Sequence, residues 1–163
     1  MLVLRGERVV LRRAEPGDAA ALLAILAEPE VARWWGAYAA ADVAEELDAS
    51  FAILVDGAVA GWLQFTEETT PDYPHVGLDI AVTTRLRGLG YGREALRVAV
   101  RHFVAQGHHR FTIDPSAGNE RAIRSYAAIG FRPVGILRSY ERAPDGTWRD
   151  GLLMDLLADE LID

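Results

Sequence analysis

The chain has 163 residues, a length typical of one globular domain with a substantial hydrophobic core. Its formal net charge is −7, it has no cysteine, and all 17 of its basic residues are arginine. The charge argues against a nucleic-acid-binding protein. The composition excludes disulfides, cysteine nucleophiles, thiolate metal sites, lysine Schiff bases and the lysine-dependent P-loop.

Hydropathy and histidine spacing narrow the class further. No run of about 18 apolar residues predicts a membrane span, and the first residues lack the pattern of a signal peptide. The four histidines show no metal-ligand spacing with an acidic third ligand. We therefore expect a cytoplasmic protein that uses no metal and has neither a membrane nor a nucleic acid as its partner.

The first third of the chain predicts one strand and two helices. Residues 7–13 alternate apolar and polar side chains, residues 19–27 are good helix formers that stop near Pro29, and residues 39–47 form an acidic helix. Trp34 and Trp35 lie between the helices. Because two adjacent indoles cannot both face inwards from one helix or strand, we expect one of them to line a groove with a ligand or interface role. The alternative is that the pair fills the core.

Residues 51–65 predict a β-hairpin. Asp56 and Gly57 separate two apolar stretches, and an Asp-Gly pair in that position is a strong signal for a two-residue turn. Gln64 lies among apolar neighbours on the second strand and requires a hydrogen-bond partner if it is buried. The polar connection that follows carries three acidic residues, Glu67, Glu68 and Asp72. They are either solvated loop charges or a cation site.

Residues 75–92 predict a strand, a glycine-rich loop and the start of a helix. Alternate apolar residues mark the strand, and Asp79 lies within it, where a buried carboxylate without a partner would be costly. Three glycines follow with three arginines around them: Gly88, Gly90, Gly92, Arg85, Arg87 and Arg93. Bare backbone N–H groups at a helix start, with guanidinium groups nearby, suit a phosphate. The alternative is an ordinary strand-to-helix turn with exposed arginines.

The last third of the chain predicts a strand, a helix and a terminal pair of strands. Residues 111–113 form the first strand, which Asp114 and Pro115 end. A helix then starts at Asn119 or the preceding Gly118 and is closed by Gly130. Residues 131–137 and 147–157 form the strand pair. Because there is no repeat, linker or low-complexity segment, residues 1–163 are predicted to form one mixed α/β domain.

Two spaced motifs carry a resemblance to a known family. They are Arg87-x-x-Gly90-x-Gly92 after a strand, and Asn119-x-x-Ala122-x-x-x-Tyr126 followed by Gly130-Phe131. Together they resemble the GNAT acyltransferase superfamily, and the order of elements extends the resemblance over nearly the whole chain. More narrowly, RWWG at 33–36, GLD at 77–79 and the segment 113–131 resemble the aminoglycoside 6′-N-acetyltransferases.

The resemblance implies an α/β (mixed α+β) fold that uses acetyl-CoA as cosubstrate. Its central, mostly antiparallel sheet would be splayed at the acetyl-CoA site, with helices on both faces. Backbone N–H groups from Arg87 to Arg93 would hold the pyrophosphate, and the pantetheine arm would pair with backbone near Ile80 to Val82. The implied cofactor-binding residues are Ile80, Ala81, Val82, Arg87, Gly88, Leu89, Gly90, Tyr91, Gly92, Arg93, Asn119, Ala122 and Tyr126.

The resemblance also implies residues that act on the acceptor and the leaving group. Tyr126 would protonate the leaving thiolate, a step to which a phenol with a pKa of about 10 is matched. Its alternative is a half-buried core tyrosine. Asp79 is favoured as the base, acting with a raised pKa or through water, and Asp114 as the cation anchor, although either is alternatively a cap or turn residue. The implied substrate-binding residues are Trp34, Trp35, Gln64, Asp79 and Asp114.

These inferences predict an enzyme that moves acetyl directly to a primary amine without a covalent enzyme intermediate. The best-matched substrate is the 6′-amine of an aminoglycoside, a small polycation that suits the net acidity, with antibiotic resistance as the corresponding role. A protein N-terminus or another small amine is the alternative acceptor, and a non-catalytic acyl-CoA-binding sensor is the alternative class. The protein is expected to be a monomer or a weak homodimer.

Overall fold

The computed structural model describes all 163 residues, which form eight strands and five helices. The strands are β1 (Val3–Arg5), β2 (Val9–Arg13), β3 (Ser50–Val55), β4 (Ala58–Glu68), β5 (His75–Val82), β6 (Arg110–Ile113), β7 (Arg132–Arg142) and β8 (Trp148–Leu157). The helices are α1 (Ala19–Leu26), α2 (Pro29–Trp35), α3 (Ala40–Glu46), α4 (Tyr91–Ala105) and α5 (Glu120–Ala128). Short 3₁₀ turns lie at Pro16–Asp18, Thr84–Leu86 and Ala158–Glu160. None of the helices is both long and apolar enough to span a membrane.

The strands form one mixed sheet in the order β1-β2-β3-β4-β5-β6-β8-β7. The pairs β1–β2, β2–β3, β3–β4, β6–β8 and β7–β8 are antiparallel, whereas β5 and β6 are parallel. The predicted mixed α/β class and mostly antiparallel sheet are therefore confirmed. The chain groups into two compact units, of which the first comprises Met1–Phe65 and Asp79–Ala99 and the second Thr66–Leu78 and Val100–Asp163.

In the first unit, β1 to β4 form an antiparallel meander that ends in the predicted hairpin. Asp56 and Gly57 both adopt left-handed backbone conformations, with φ of 51° and 80°. Two positive φ values in a two-residue turn match the right-handed twist of the flanking strands. One hydrophobic cluster of the unit consists of Leu22, Ile25, Leu26, Val31, Val43, Leu47, Trp62 and Ala81.

Two elements of the first unit were not predicted. β1 is a three-residue strand, too short for an alternating pattern to mark it. α2 begins at Pro29, where a helix was expected to stop. Proline lacks an N–H group, but the first turn of a helix leaves its N–H groups without internal partners anyway, so proline begins a helix as readily as it ends one. α1 does stop before this residue, at Leu26.

In the second unit, β8 lies between β6 and β7, and α5 connects β6 to β7. The buried side chains include Phe103, Phe111, Ile129, Met154 and Leu156. Gly130 has a φ of 116°, as expected at the end of a helix, and a side chain there would collide with the backbone of Glu160. β7 continues to Arg142, well past its predicted end at residue 137, because β8 pairs with it again at Glu141 and Arg142.

The parallel ladder between β5 and β6 is short. Val76 pairs with Phe111 and Gly77 with Thr112. β6 ends at Ile113, two residues before Pro115, which has no N–H group to donate to a ladder. The splaying of the sheet that the resemblance implies beyond this ladder stays a prediction.

Candidate functional site

The glycine loop, residues 87–92 of the first unit, follows the Thr84–Leu86 turn and opens α4. Gly88 and Gly90 have φ of 74° and 86°, a region that side chains beyond glycine rarely adopt. The N–H groups from Gly88 to Gly92 make no hydrogen bond within the protein. The loop therefore presents five consecutive unpaired donors at the positive end of a 15-residue helix.

The structure also places this loop against the end of β5. A Cβ on Gly92 would lie 3.5 Å from Val82 Cγ2 and 3.9 Å from Ile80 Cδ1, which is ordinary van der Waals contact. On its other side, β5 is flanked by β4, where the Thr83 N–H donates to the Ala60 carbonyl over 2.8 Å. The predicted loop residues and the predicted strand residues Ile80 to Val82 are thus brought together.

Arg87 differs from its expected role. Its N–H donates to the carbonyl of Thr84 over 3.1 Å, and its guanidinium Nη2 donates to the carbonyl of Glu30 over 2.9 Å. Nη1 lies 3.4 Å from Glu30 Oε2. Both the backbone donor and the side chain are therefore engaged within the protein, so the unpaired donors begin at Gly88 rather than at Arg87.

Glu28, just before α2, stabilises the turn that leads into the loop by accepting two hydrogen bonds from it. Its carboxylate accepts hydrogen bonds from Thr83 Oγ1 over 2.8 Å and from the Thr84 N–H over 2.6 Å. Partial burial opposes ionisation, but these hydrogen bonds and the charge of Arg87 outweigh it and lower the pKa of Glu28. The carboxylate stays charged and acts as a cap for the 3₁₀ turn.

Arg8 approaches the loop from the β1–β2 connection and was missed by sequence reasoning. Its Nη1 donates to the Leu89 carbonyl over 2.8 Å, and its guanidinium carbon lies 4.3 Å from the centre of the Tyr91 ring. Glu94 holds it in place, with Nε 3.0 Å from Oε2. Burial opposes ionisation of Glu94, but hydrogen bonds from the N–H groups of Arg8 and Val9 lower its pKa. No sequence motif marks Arg8, because it lies 81 positions from Leu89.

Two predicted residues, Trp35 and Gln64, meet in an aromatic–acidic cluster of the first unit, which also contains Tyr38, Glu46 and Trp62. Gln64 Nε2 donates to Glu46 Oε2, and the Tyr38 hydroxyl donates to the same oxygen over 3.3 Å. The partner that Gln64 was expected to need is therefore Glu46. Glu46 itself was read only as part of an acidic helix, although it directly precedes Leu47, which is buried.

The three rings of the cluster pack on one another. Trp35 stacks on Trp62 with centroids 6.0 Å apart and planes at 26°, and Tyr38 meets Trp62 edge-on at 6.3 Å and 78°. Trp62 is fully buried, whereas Trp35 and Tyr38 are partly exposed. Of the predicted pair, Trp35 belongs to the cluster and Trp34 lies against Arg33, whose guanidinium carbon is 4.7 Å from its ring.

Asp79 acts on this cluster through its charge. Burial, then the negative charges of Glu46 and Asp79, raise the pKa of Tyr38 to about 12, so its hydroxyl stays protonated and donates to Glu46. The expectation that Asp79 is buried within an apolar strand was wrong. Because successive residues of β5 point to opposite faces, Asp79 points away from the face of Leu78 and Ile80, and it is exposed. Its Oδ1 accepts a hydrogen bond from the Ile80 N–H over 3.0 Å.

The remaining predicted residues lie in the second unit. Asn119 is the N-cap of α5, and its Oδ1 accepts from the Ala122 N–H over 3.3 Å. Tyr126, on the same helix, is 8% exposed and meets the Phe131 ring edge-on at 6.3 Å. Asp114 is half-buried and accepts a hydrogen bond from the hydroxyl of Tyr140, a residue of β7 that sequence reasoning did not single out.

The acidic connection between β4 and β5 is explained by local partners. Glu67 Oε2 lies 2.9 Å from His108 Nε2, and hydrogen bonds from the Thr70 hydroxyl and N–H lower the pKa of Glu68. No group of three or more histidine and acidic side chains is arranged to hold a metal ion. These contacts fit loop charges, which is one of the two alternatives for this segment.

Comparison with known proteins places this geometry in a family. A family model described as "Acetyltransferase (GNAT) domain" matches residues 8–132. Among solved structures, a GNAT-family acetyltransferase from Bacillus anthracis superposes with a TM-score of 0.85 at 18% identity, over 98% of this chain and 100% of that one. No curated protein sequence matches the chain significantly.

Two further solved structures carry specific names. Mycobacterium smegmatis RimJ in complex with CoA-disulfide matches at 27% identity and a TM-score of 0.82, over 95% of this chain and 84% of that one. The ribosomal-protein-S5-alanine acetyltransferase from Vibrio fischeri matches at 18% identity and a TM-score of 0.83, over the whole of both chains. At 18% identity the latter likeness concerns the fold alone.

Proposed function

The chain belongs to the acetyltransferase (GNAT) family, and from this premise we propose that it transfers acetyl from acetyl-CoA directly to a primary amine. The row of five unpaired N–H groups from Gly88 to Gly92 carries this proposal. Unpaired backbone donors at a helix start are a ready-made site for a phosphate group. A pyrophosphate supplies several anionic oxygens, which is what a row of adjacent donors requires.

The residues present fit acetyl-CoA. In this proposal Gly88 to Gly92 bind the pyrophosphate, with the positive charge of Arg8 close by, and the backbone of Ile80 to Val82 pairs with the pantetheine arm. Asn119 uses its Oδ1 to cap α5, which leaves its amide nitrogen as a donor toward the arm. Bound acetyl-CoA supplies a thioester, the electrophile that the amine attacks. An oriented backbone N–H at the thioester carbonyl is typically worth about 10²–10³-fold in rate.

Two side chains are proposed to move protons. Tyr126 donates its phenolic proton to the departing thiolate. Asp79 accepts the proton that the bound ammonium loses to become the neutral, attacking amine and, because it is exposed, passes this proton on to water. We propose transfer through water instead of a carboxylate that keeps the proton, since an ordinary aspartate with a pKa of about 3.9 is a weak base.

For the acceptor we propose a small polycationic amine, with the 6′-amine of an aminoglycoside as the best-matched example. Glu46 and Asp79 supply carboxylates, and Trp35 and Tyr38 supply ring faces that attract cations. Asp114, held by Tyr140, is proposed as a further cation anchor. The net charge of −7 favours the approach of a polycation.

Acetylation of a protein N-terminus is the alternative function that we propose. M. smegmatis RimJ, whose structure holds CoA-disulfide, is 27% identical to this chain. Both acceptors present a primary amine, so the proposed roles of Tyr126 and Asp79 hold for either.

Release of free thiol from acetyl-CoA tests the proposal, with kanamycin, its analogue bearing a 6′-hydroxyl, and an N-terminal peptide as parallel acceptors. We expect turnover with kanamycin that is lost with the 6′-hydroxyl analogue. Turnover with the peptide alone would move the assignment to the second acceptor. Tight CoA binding without turnover of any acceptor would overturn the enzymatic proposal and favour an acyl-CoA sensor.

A further inference from the structure

The indole N–H of Trp62 is a fully buried donor of the aromatic–acidic cluster that has no hydrogen-bond partner. Trp62 is 0% exposed, and its Nε1 has no hydrogen-bond partner. Buried donors are almost always paired, because burying one without an acceptor is costly. A buried donor without a partner in a candidate site is therefore a group that an acceptor atom of a ligand can satisfy.

Trp62 lies on the same face of β4 as Gln64, the residue that donates to Glu46. Residues two apart on a strand share one face, so Trp62 and Gln64 lie on the same side of β4. Gln64 donates to Glu46, and Tyr38 contacts both the Trp62 ring and Glu46. Tyr38 therefore contacts both the Glu46 carboxylate and the buried Trp62 ring.

The charge of Glu46 is not balanced by its own partners. Both groups that donate to its Oε2, the Tyr38 hydroxyl and the Gln64 amide, are neutral. The charged groups that act on the neighbouring Tyr38 are Glu46, Asp79 and Asp42, all of them acidic. Glu46 therefore keeps a carboxylate charge that no salt bridge offsets, and such a charge attracts a cation.

Two residues that pack against Trp62, Trp35 and Tyr38, lie on either side of a glycine. Trp35 ends α2, and Gly36, which follows, has a φ of 80° with open space around its Cβ position. Tyr38 lies two residues further on, before α3 begins at Ala40. Trp35 and Tyr38 are both partly exposed. A rotation of Tyr38 would release Glu46 and remove one of the rings that pack against Trp62.

We infer that Trp62 and Glu46 form a subsite for a primary amine that carries an oxygen close to its nitrogen. The ammonium replaces the Tyr38 hydroxyl at Glu46, and the oxygen accepts the hydrogen bond from Trp62 Nε1. This inference rests on the proposed function, because the amine is the acetyl acceptor. Trp62 and Glu46 act here as specificity-determining residues, since they bind the acceptor and take no part in proton transfer.

Two classes of acceptor share this chemistry. In an amino sugar or amino alcohol, the oxygen is a ring ether or hydroxyl. At a peptide N-terminus, it is the first carbonyl. 6-Amino-6-deoxyglucose and glycinamide represent the two sources, and a comparison of their KM values shows which of them the subsite prefers.

The decisive comparison uses two small amines of equal size, 2-aminoethanol and propylamine, with thiol release as the assay. We expect the wild-type KM to be about 2- to 10-fold lower for 2-aminoethanol, the range that one neutral hydrogen bond supplies. In Trp62→Phe the KM values of the two amines should become equal, because the donor that distinguishes them is lost. A thermal melt of the variant verifies that it is folded. A preference that survives in folded Trp62→Phe would overturn the role of the indole.

Glu46→Gln tests the cation half of the subsite. Its KM should rise about 10-fold or more for both amines, because a charged hydrogen bond is lost. Glu45→Gln, its equally exposed neighbour on α3, removes the same charge without touching the cluster and should change little. If the two variants raise the KM equally, Glu46 acts only through the net negative charge of the protein, and its assignment to the subsite is overturned.

Tyr38→Phe keeps the inference testable if Trp62→Phe does not fold. Removal of the competing hydroxyl should lower the KM of both amines by about 2- to 10-fold. A higher KM would mean that Tyr38 binds the acceptor instead of giving way to it. If the wild type turns over no amine, the proposed function fails. Ligand-observed NMR of 2-aminoethanol with wild type and Trp62→Phe then decides the subsite on its own, since loss of the indole must still weaken binding.

Discussion

The glycine loop and the aromatic–acidic cluster belong to the same unit, but the first uses backbone groups and the second uses side chains. The loop offers backbone N–H groups of consecutive residues, whereas the cluster assembles side chains from α2, α3, β4 and the connection after α2. A backbone site depends on conformation alone, so any residue that fits the φ values can occupy it. A side-chain site depends on identity, and each member can be removed singly. The loop should therefore serve a constant ligand and the cluster a variable one.

The largest expected effect is on kcat and comes from Tyr126, which lies outside both regions. The effects expected at the loop and the cluster are smaller. Tyr126→Phe should lower kcat by about 10–10³-fold, because the thiolate would leave without its acid, and should leave acetyl-CoA binding almost unchanged. Steady-state thiol release measures both constants. Tyr73→Phe, which alters an exposed tyrosine, is the control. An unchanged kcat would remove Tyr126 as the acid.

Gly90→Val tests the loop. A β-branched residue at a φ of 86° is strained, and the displaced backbone would lose its aligned donors. We expect the KM for acetyl-CoA to rise about 100-fold, a free-energy change of roughly 2.7 kcal/mol, while the KM for the acceptor stays constant. Gly135→Val is the matched control, since Gly135 has no positive φ and open space around it. Equal rises in both KM values would show that the two regions are not separable.

Asp79→Asn tests whether the cluster side of the site supports chemistry as well as binding. We expect kcat to fall about 10- to 100-fold through loss of the base, with the KM for acetyl-CoA unchanged. Asp72→Asn, in the exposed connection before β5, should have no such effect. Full activity in Asp79→Asn would assign the proton route elsewhere.

Glu94→Gln should have the smallest effect, on stability. The folded state lowers the pKa of Glu94, so its contribution is complete above the unfolded pKa of about 4.3 and is lost as pH falls through the folded value. At pH 7 the variant should lose about 1–2 kcal/mol of unfolding free energy. Urea titrations should show the difference from wild type shrinking at pH 3, with Glu7→Gln as control. A pH-independent difference would assign the loss to packing.

The contrast between the two regions also explains what the sequence could predict. The glycine loop could be predicted without a structure, because Gly88, Gly90 and the strand before them are close together in the chain. The hairpin at Asp56 and Gly57 was predictable for the same reason, since a two-residue turn is specified by its own two residues.

Residues whose role depends on tertiary packing were not predictable. Glu46 lies 18 positions from Gln64, and nothing in the acidic helix distinguishes it from Glu45. Arg8 reaches Leu89 across 81 positions. Asp79 shows the opposite error, because an apolar run suggests burial on both faces, and only the sheet shows which face of β5 meets solvent. The start of α2 at Pro29 was missed because proline both ends and begins helices.

The unpaired donors from Gly88 to Gly92 give the free protein a distinctive exchange behaviour. Amide protons without hydrogen bonds exchange with deuterium quickly, even where the surrounding chain is ordered. These five should therefore label early, ahead of the rest of α4, and become protected when CoA is added. The protected set would identify the ligand-binding backbone residue by residue without any measurement of turnover. Inorganic pyrophosphate should protect the same amides, which would make phosphate-containing buffers weak competitors of acetyl-CoA.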